Sequence, residues 1–222
     1  MTRPTRGRVD ALWGALALAA GLVTAAFARR TMAGPGNAGT VPPRRIAGAA
    51  RLSQAGIIVG DSAAPIRIVE FADFECRHCR QFQKTLAALR ARHPKTVAVV
   101  YRHWPLSRMG FAFPAAIAAE CAAWQGRFEP FAVLLFESQD TLVRLDLEYT
   151  AARAGVRDTA RFHACRSGPE ARARVIEDML AGKQLGVGGT PTFVVGDILV
   201  IGEVSLETLE NLVRRAGGGD FK

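Results

Sequence analysis

The sequence is short of the features that mark several specialised protein classes. Its 222 residues contain only four cysteines, and a single acidic residue, Asp10, occurs in the first 60 positions. Four cysteines are too few to replace a hydrophobic core, which excludes a small disulfide-dense scaffold, but they are enough to carry chemistry. Neither a G-x-G-x-x-G loop at a strand end nor a nucleophilic serine elbow is present, and we find no metal or flavin motif. We therefore expect no metal and no cofactor.

The overall composition is that of a globular protein. Hydrophobic residues make up 49% and charged residues 22% of the chain, which excludes wholesale disorder and collagen-like chains. The net charge of +9 is concentrated at one end: residues 1–60 hold eight arginines and one acid, a net +7, whereas residues 61–222 hold 21 basic and 19 acidic residues, a net +2. Because the body is nearly neutral, we expect no nucleic-acid partner.

An apolar segment near the N-terminus predicts contact with a membrane. Residues 11–28 carry no charge, and arginines flank them on both sides. As a helix this run would rise about 27 Å, close to the roughly 30 Å hydrocarbon core of a bilayer. Residues 1–30 are therefore either a cleavable signal peptide or a transmembrane anchor, and both alternatives place the body outside the cytoplasm, in the periplasm. Residues 31–56 are rich in Gly and Pro and predict a flexible linker.

Residues 57–222 carry the strand and helix patterns of one α/β domain. The patterns predict strands at 57–59, 66–71, 97–104, 192–195 and 198–201, a helix over 76–92, a helical block over about 111–185, and a last helix from Ser205 to near Arg215. The first strand–helix–strand unit predicts a parallel crossover and the last two strands an antiparallel hairpin, which together fit one mixed sheet covered by helices. The helical block is too long for a simple crossover and predicts a subdomain on the sheet.

The motif Cys76-Arg77-His78-Cys79 lies where a predicted strand ends and a helix begins. The unpaired N–H groups and partial positive charge of a helix N-terminus stabilise a thiolate on its first turn, so the pKa of Cys76 should fall below about 8.5. Arg77 and His78 add positive character, and Cys79 lies about one helical turn away, within bonding reach. We expect Cys76 to be the exposed nucleophile that attacks another sulfur, and Cys79 to be the partner that resolves the resulting mixed disulfide.

Two other uses of a C-x-x-C motif stay open on this evidence. Half of a zinc site has the same spacing, but the remaining cysteines, Cys121 and Cys165, stand 44 positions apart rather than in a second close pair. A short structural disulfide is the other alternative. The strand-to-helix placement, the exported context and the later Thr190-Pro191 pair favour redox chemistry over both.

The stretch IVEFADFECRHCRQF, followed much later by Thr-Pro, a hairpin and a helix, resembles the DsbA-like thiol–disulfide oxidoreductases of the thioredoxin superfamily. The resemblance extends over residues 57–215. It implies an α/β thioredoxin fold with a mixed central sheet and a helical subdomain inserted at about residues 111–185. The whole body, residues 57–222, would then be a single domain behind the N-terminal apolar segment.

The resemblance also assigns roles within the motif. Cys76 would be the nucleophile and Cys79 its buried partner, while Arg77 and His78 would form the dipeptide that tunes the redox potential. The family's more familiar dipeptide is Pro-His, so His78 is kept and Arg77 is a departure. His at this position accompanies a destabilised disulfide, and a cation beside it should also favour the thiolate and hence the reduced form.

Three acidic residues precede the motif. Strand alternation places Glu70 on the same face as Ile68, so its side chain should be buried at least in part. By resemblance, Glu70 would take protons from Cys79 during exchange; the alternative is a salt-bridged strand acid. Asp73 and Glu75 are expected on loop positions at the rim of the site.

The other cysteines and the histidines are expected to be structural. By resemblance, Cys121 and Cys165 would form a structural disulfide between two helices of the inserted block; the alternative is two small buried thiols. His93, His103 and His163 have no nearby ligand pattern, and each is expected to be structural or exposed.

The resemblance implies an extracytoplasmic thiol–disulfide oxidoreductase, and we expect a dithiol oxidase that introduces disulfides into exported proteins. Unfolded or partly folded exported proteins would be its clients, and a membrane quinone-linked thiol oxidase would reoxidise it. Pro191 would be the cis-proline that faces the disulfide. Thr190 before it also occurs in isomerase-like relatives, so a reductase or isomerase of the same fold is one alternative. The other is a non-enzymatic envelope binding or chaperone module with a structural disulfide.

Overall fold

The two longest strands form the middle of the sheet in the computed structural model, which describes residues 42–107 and 110–217. Their sequences, IRIVEFA in β3 (Ile66–Ala72) and VAVVYRH in β4 (Val97–His103), are rich in β-branched residues and largely buried. The other strands are β1 (Arg44–Arg45), β2 (Ile57–Val59), β5 (Thr192–Val195) and β6 (Ile198–Ile201).

Helix α1 (Arg77–Arg92) connects β3 to β4, and these two strands pair in parallel, with Glu70 opposite Tyr101. On its other side β3 pairs antiparallel with β5, which forms the terminal hairpin with β6. The sheet order is β1-β6-β5-β3-β4-β2. The predicted mixed sheet, with its parallel crossover and antiparallel hairpin, is confirmed.

The helical block lies between β4 and β5. Its helices are α2 (Ala112–Ala123), α3 (Phe128–Glu137), α4 (Leu147–Arg153), α5 (Thr159–Ser167) and α6 (Pro169–Leu185), with a 3-10 turn at Gln139–Arg144. Alanines of α2 are buried along most of the helix, which lets α3, α5 and α6 approach it closely. The block therefore has its own apolar cluster, as its periodicity predicts, and packs onto one end of the sheet.

Helices also cover the two faces of the central strands. On one face, α1 and α7 (Leu206–Ala216) pack against Ile68 through Phe82, Leu86, Leu89, Leu209, Leu212 and Val213. The side chains of Val69 and Phe71 point to the opposite face, where they meet the C-terminal end of α6. Because alternate side chains of a strand share a face, Glu70 lies on the α1 side with Ile68. This register places a carboxyl group next to the helix that begins at the cysteine motif.

The folded domain begins before residue 57, the position at which the sequence predicts it to start. Strand β1 pairs with β6 through Arg44 and Arg45, and a 3-10 turn (Ala49–Gln54) packs on the sheet with Ala49 buried. The predicted linker over 31–56 is therefore wrong from residue 44 onward. Two consecutive arginines carry no apolar alternation, so the sequence pattern gives no sign of this edge strand.

The predicted signal peptide or anchor, with its apolar run at 11–28, lies outside the described residues. Within residues 42–107 and 110–217, no helix is both long and apolar enough to span a bilayer.

Candidate active site

The loop that leads into the cysteine motif is held by the side chain of Asp73. Its Oδ1 accepts a hydrogen bond from the backbone N–H of Glu75 at 2.7 Å, and its Oδ2 accepts one from the N–H of Leu106, also at 2.7 Å. The backbone carbonyl of Asp73 accepts from the N–H of Cys76 at 3.1 Å. Asp73 is only 3% exposed, so our expectation that it lies on the rim of the site is wrong. It fixes the position at which α1 starts.

Cys76 is the N-cap residue of α1, and Cys79 lies on its first turn. Both are free thiols, Cys76 half-buried and Cys79 fully buried. A hydrogen bond from the Cys79 thiol is the largest cause that lowers the pKa of Cys76 from about 9 to about 5, and the side chain of Thr190 and the backbone N–H groups of Cys79 and His78 lower it further. Burial, followed by the hydrogen bond to Cys76 and the charge of Glu70, raises the pKa of Cys79 far above its ordinary value. The pair thus consists of one accessible thiolate and one buried thiol.

The loop before β5 supplies the opposite wall of the site. The peptide bond between Thr190 and Pro191 is cis. The Cys76 thiol donates a hydrogen bond to the backbone carbonyl of Thr190 at 3.3 Å. Thr192 steadies the same loop, since its hydroxyl donates to the carbonyl of Gly189 at 2.7 Å. Residues more than a hundred positions apart in the chain therefore meet at one sulfur atom.

Glu70 lies within the domain on the inner side of the cysteine pair and is completely buried. Its Oε2 accepts a hydrogen bond from Nε2 of Gln83 on α1 at 2.6 Å, and its Oε1 makes no hydrogen bond in the described part of the chain. Burial raises the pKa of Glu70 to about 8, and the Gln83 hydrogen bond offsets part of that effect. A carboxyl group with a pKa near neutrality can both accept and donate a proton at physiological pH. Gln83, which sequence reasoning did not single out, is its direct partner.

The dipeptide between the two cysteines is exposed. The ring nitrogen Nδ1 of His78 lies 3.2 Å from Oε1 of Glu203, which follows the terminal hairpin. Arg77 and His78 also line one end of a groove of about 610 Å³ between α1 and α3, whose other wall includes Phe128, Val133 and Phe136. The groove combines an apolar wall with charged side chains of both signs, and it reaches the dipeptide between the two cysteines.

Comparisons with known proteins agree with this geometry. A family model described as Thioredoxin matches residues 52–215, about three quarters of the chain. The chain belongs to this family. It is a DsbA-like protein of the thioredoxin superfamily, as the sequence motif indicates, with the predicted thioredoxin fold and its inserted helical subdomain.

Solved structures place the DsbA-like fold among thiol–disulfide enzymes. A thioredoxin-like oxidoreductase from Silicibacter pomeroyi superposes with a TM-score of 0.66 and 32% identity, over 72% of this chain and 91% of that chain. The α-DsbA1 of Wolbachia pipientis superposes with a TM-score of 0.62 over 72% of this chain and 90% of that one, and its 23% identity supports the fold. Together with the family match, these neighbours support the predicted enzyme class, a thiol–disulfide oxidoreductase.

A curated relative matches this chain over part of its own, greater length. The Na(+)/H(+) antiporter NhaA 3 of Salinispora tropica is 36% identical over 158 residues, which cover 71% of this chain and 24% of the antiporter. The chain therefore spans about a quarter of the length of that relative. The antiport activity in its name refers to the whole relative.

The second cysteine pair of this DsbA-like chain lies in the helical subdomain. Cys121 on α2 and Cys165 on α5 are joined by a disulfide, with Cα atoms 5.8 Å apart. This is the pairing that the family resemblance implies. The bond ties two helices of the inserted block together and leaves Cys76 and Cys79 as the free thiols of the chain.

The three histidines outside the motif occupy different environments, with His93 at the C-cap of α1. His163 is exposed and contacts Glu148 with its Nδ1 at 3.1 Å. His103, at the end of β4, is only 1% exposed and faces buried carboxyl groups of Glu120 and Asp178. Sequence reasoning missed this cluster, because its members come from one strand and two helices and have no common spacing. Within the described part of the chain, no hydrogen bond or ring contact joins His103 to Cys76 or Cys79.

Proposed function

We propose that the protein is an extracytoplasmic dithiol oxidase that introduces disulfides into exported proteins. The observation that carries the proposal is the asymmetry of the cysteine pair. Hydrogen bonds at the start of α1 stabilise the Cys76 thiolate, whereas Cys79 is buried without such help. Interactions that stabilise the thiolate exist only in the reduced protein, so they make the Cys76–Cys79 disulfide a stronger oxidant.

The reaction follows from the exposure of the two sulfurs. A client thiolate attacks Sγ of Cys76 in the disulfide, forming a mixed disulfide and releasing the Cys79 thiolate, which Glu70 can protonate. A second client thiolate then attacks the client sulfur of the mixed disulfide, forming the client disulfide and releasing the stabilised Cys76 thiolate. Two electrons pass from the client to the cysteine pair. The groove between α1 and α3 offers an apolar surface for an unfolded client segment.

The reduced pair must then return its electrons to an acceptor. A membrane quinone-linked thiol oxidase is the partner we propose, and the apolar run at 11–28 would bring the domain to the membrane as an anchor or export it as a cleaved signal. The nearly neutral body supports a role that requires no nucleic acid, and the exchange chemistry itself uses no cofactor beyond the cysteine pair.

The reduction potential of the Cys76–Cys79 couple tests the direction of electron flow. Equilibration of the purified protein with glutathione buffers should give a value well above about −200 mV, towards the roughly −120 mV of a strong periplasmic oxidant. A value near about −270 mV, that of thioredoxin, would instead identify a reductase. A high potential with efficient reshuffling of scrambled ribonuclease would identify an isomerase.

Activity assays separate the enzyme from a binding or chaperone module. The wild-type protein should promote oxidative refolding of reduced ribonuclease, and Cys76→Ala should abolish this turnover. An Arg77→Ala variant keeps both sulfurs and is the matched control for surface disruption, with a shifted potential but persistent turnover. Full refolding activity in Cys76→Ala would mean that the motif is structural and that the proposal is wrong.

A further inference from the structure

A second cluster of buried titratable side chains lies where the sheet meets the helical subdomain. His103 ends β4, Glu120 lies on α2 and Asp178 lies on α6, and their exposed fractions are 1%, 3% and 0%. One nitrogen or oxygen atom from each lies within 4.8 Å of the other two. Nε2 of His103 is 3.5 Å from Oε1 of Glu120. Three elements thus direct one imidazole and two carboxyl groups at a common point.

Three of the polar atoms at that point make no hydrogen bonds among the described residues. They are Nδ1 and Nε2 of His103 and Oε1 of Glu120, whereas Oδ1 of Asp178 is paired with Nε of Arg102 at 2.7 Å. Buried polar atoms without partners are rare in folded proteins and call for a water or an ion. A cation can accept a lone pair from the imidazole and from both carboxylates at once. The 3.5 Å separation is also long for a hydrogen bond.

The separation does suit a small metal ion. A tetrahedral ion with bonds of about 2.0–2.1 Å holds its ligand atoms about 3.3 Å apart. One imidazole nitrogen with two carboxylate oxygens is a donor set suited to zinc and other borderline transition ions, whereas magnesium and calcium prefer oxygen alone. The 3.5 Å between His103 and Glu120 is close to this value, and a carboxylate oxygen of Asp178 lies within 4.8 Å of both ligand atoms.

The surroundings orient and shield the cluster. Oδ2 of Asp178 accepts a hydrogen bond from the backbone N–H of His103 at 2.9 Å, and Nε of Arg102 lies 2.7 Å from its Oδ1. These contacts fix the carboxylate and balance its charge, in the manner of outer partners that orient metal ligands. The charge of Glu120 has no such basic partner besides His103. Aromatic rings of Phe74, Tyr101 and Phe128 contact the imidazole and make its surroundings apolar.

We propose that His103, Glu120 and Asp178 bind a divalent transition-metal ion of the zinc type, which joins β4 to helices α2 and α6. The role is structural and separate from thiol exchange, because the cysteine pair contributes no ligand. His103 is paired in register with Ala72, two residues after Glu70, so the ion would stiffen the strand ends that lead into the active-site loop. The full site would contain the three side chains and a water molecule.

Zinc binding should be measured on the oxidised protein, in which all four cysteines are in disulfides and offer no thiolate. Metal-free protein is dialysed against buffered Zn²⁺, and bound zinc is quantified by mass spectrometry. We expect one equivalent of zinc per chain and, at a free concentration of about 100 times the Kd, a rise in Tm of about 5–10 °C. The same concentration of Mg²⁺ should leave the Tm unchanged. Absence of bound zinc in the oxidised wild-type protein would overturn the proposal.

Variants locate the ion. Glu120→Gln should lose the bound zinc, whereas the control Glu148→Gln, which alters a half-buried carboxylate beside His163 and Arg166, should retain it. Retention of zinc by Glu120→Gln would contradict the assigned site. Should Glu120→Gln fail to fold, Co²⁺ bound to the wild-type protein decides the question. A tetrahedral spectrum without thiolate charge-transfer bands supports the site, and thiolate bands or an octahedral spectrum overturn it.

Discussion

Replacing Glu70 by glutamine tests the buried acid with little change in shape. The amide keeps an oxygen that can accept the hydrogen bond of Gln83, but it cannot ionise. Burial raises the pKa of Glu70 from 4.5 to about 8 in the folded protein. The variant should therefore remove both a proton carrier and a pH-dependent cost of folding, and the two effects can be measured separately.

The effect on stability has a definite sign and size. The folded protein holds the Glu70 proton more tightly than the unfolded chain does, so the free energy of unfolding falls as the pH rises from 4.5 to about 8. The full difference between these pKa values corresponds to an upper limit of about 5 kcal/mol above pH 8, and to about 3 kcal/mol at pH 7. Below pH 4.5 Glu70 is protonated in both states and contributes no pH dependence.

Urea unfolding of the reduced protein between pH 4 and pH 9 measures this effect. Glu70→Gln should match the wild type at the acidic end and become more stable than it by several kcal/mol at the basic end. The control is Glu137→Gln, an exposed carboxyl group on the helix that lines the groove, and it should follow the wild-type profile. If the wild type and Glu70→Gln differ by a constant amount across the whole pH range, the raised pKa is refuted.

The kinetic effect is expected in the step that protonates or deprotonates Cys79. General acid–base catalysis contributes about 10²- to 10⁴-fold, so resolution of a mixed disulfide should slow by about that factor in Glu70→Gln. The wild-type rate of Cys79 attack should rise with pH up to about 8, where Glu70 becomes ionised, and this rise should vanish in the variant. Unchanged exchange kinetics in the variant would refute a role for Glu70 in proton transfer.

The remaining predictions concern the cysteines. Since the pKa of Cys76 is about 5, alkylation of the reduced protein by iodoacetamide should be at its plateau rate at neutral pH and decline only near pH 5; a rate that still climbs above pH 8 would contradict the hydrogen bonds assigned to this thiolate. Replacing Cys121 and Cys165 together by alanine removes a link between residues 44 positions apart. In the chain-entropy model this should lower the free energy of unfolding, measured in urea, by roughly 4 kcal/mol, with the Cys76 alkylation rate as the control that should not change.

The parts of the site that the sequence predicts are those with local physical signals. The C-x-x-C motif is recognisable because a strand pattern ends and a helix pattern begins around it. The burial of Glu70 follows from alternation in a single strand. The start of the last helix at Ser205 is similarly local: Ser205 is the N-cap of α7, and its hydroxyl accepts a hydrogen bond from the N–H of Thr208 at 3.2 Å. Each of these inferences needs only a few neighbouring residues.

The parts that sequence reasoning missed depend on contacts between distant elements. The sequence places Asp73 in a loop and gives no sign of its burial. In the structure its carboxylate accepts a hydrogen bond from the backbone N–H of Leu106, in the segment after β4. In the sequence, Gln83 is one of many polar residues on a helix. Its role becomes visible only in the folded sheet, where Oε2 of Glu70 lies 2.6 Å from its side-chain nitrogen. The His103 cluster requires a strand and two helices to be packed before it exists. Spacing rules cannot encode these contacts, since they arise from tertiary structure.

The contact between Cys76 and Thr190 has a consequence for the timing of reactivity. These residues are 114 positions apart, and β5, which begins just after Pro191, must pair with β3 before the contact can form. During synthesis from the N-terminus, the cysteine pair emerges long before the segment that completes its environment. The nascent chain thus carries the Cys76 thiol before Thr190, whose side chain helps to lower its pKa, has been added. Cys76 therefore becomes fully reactive only late in folding, after β5 has paired with β3.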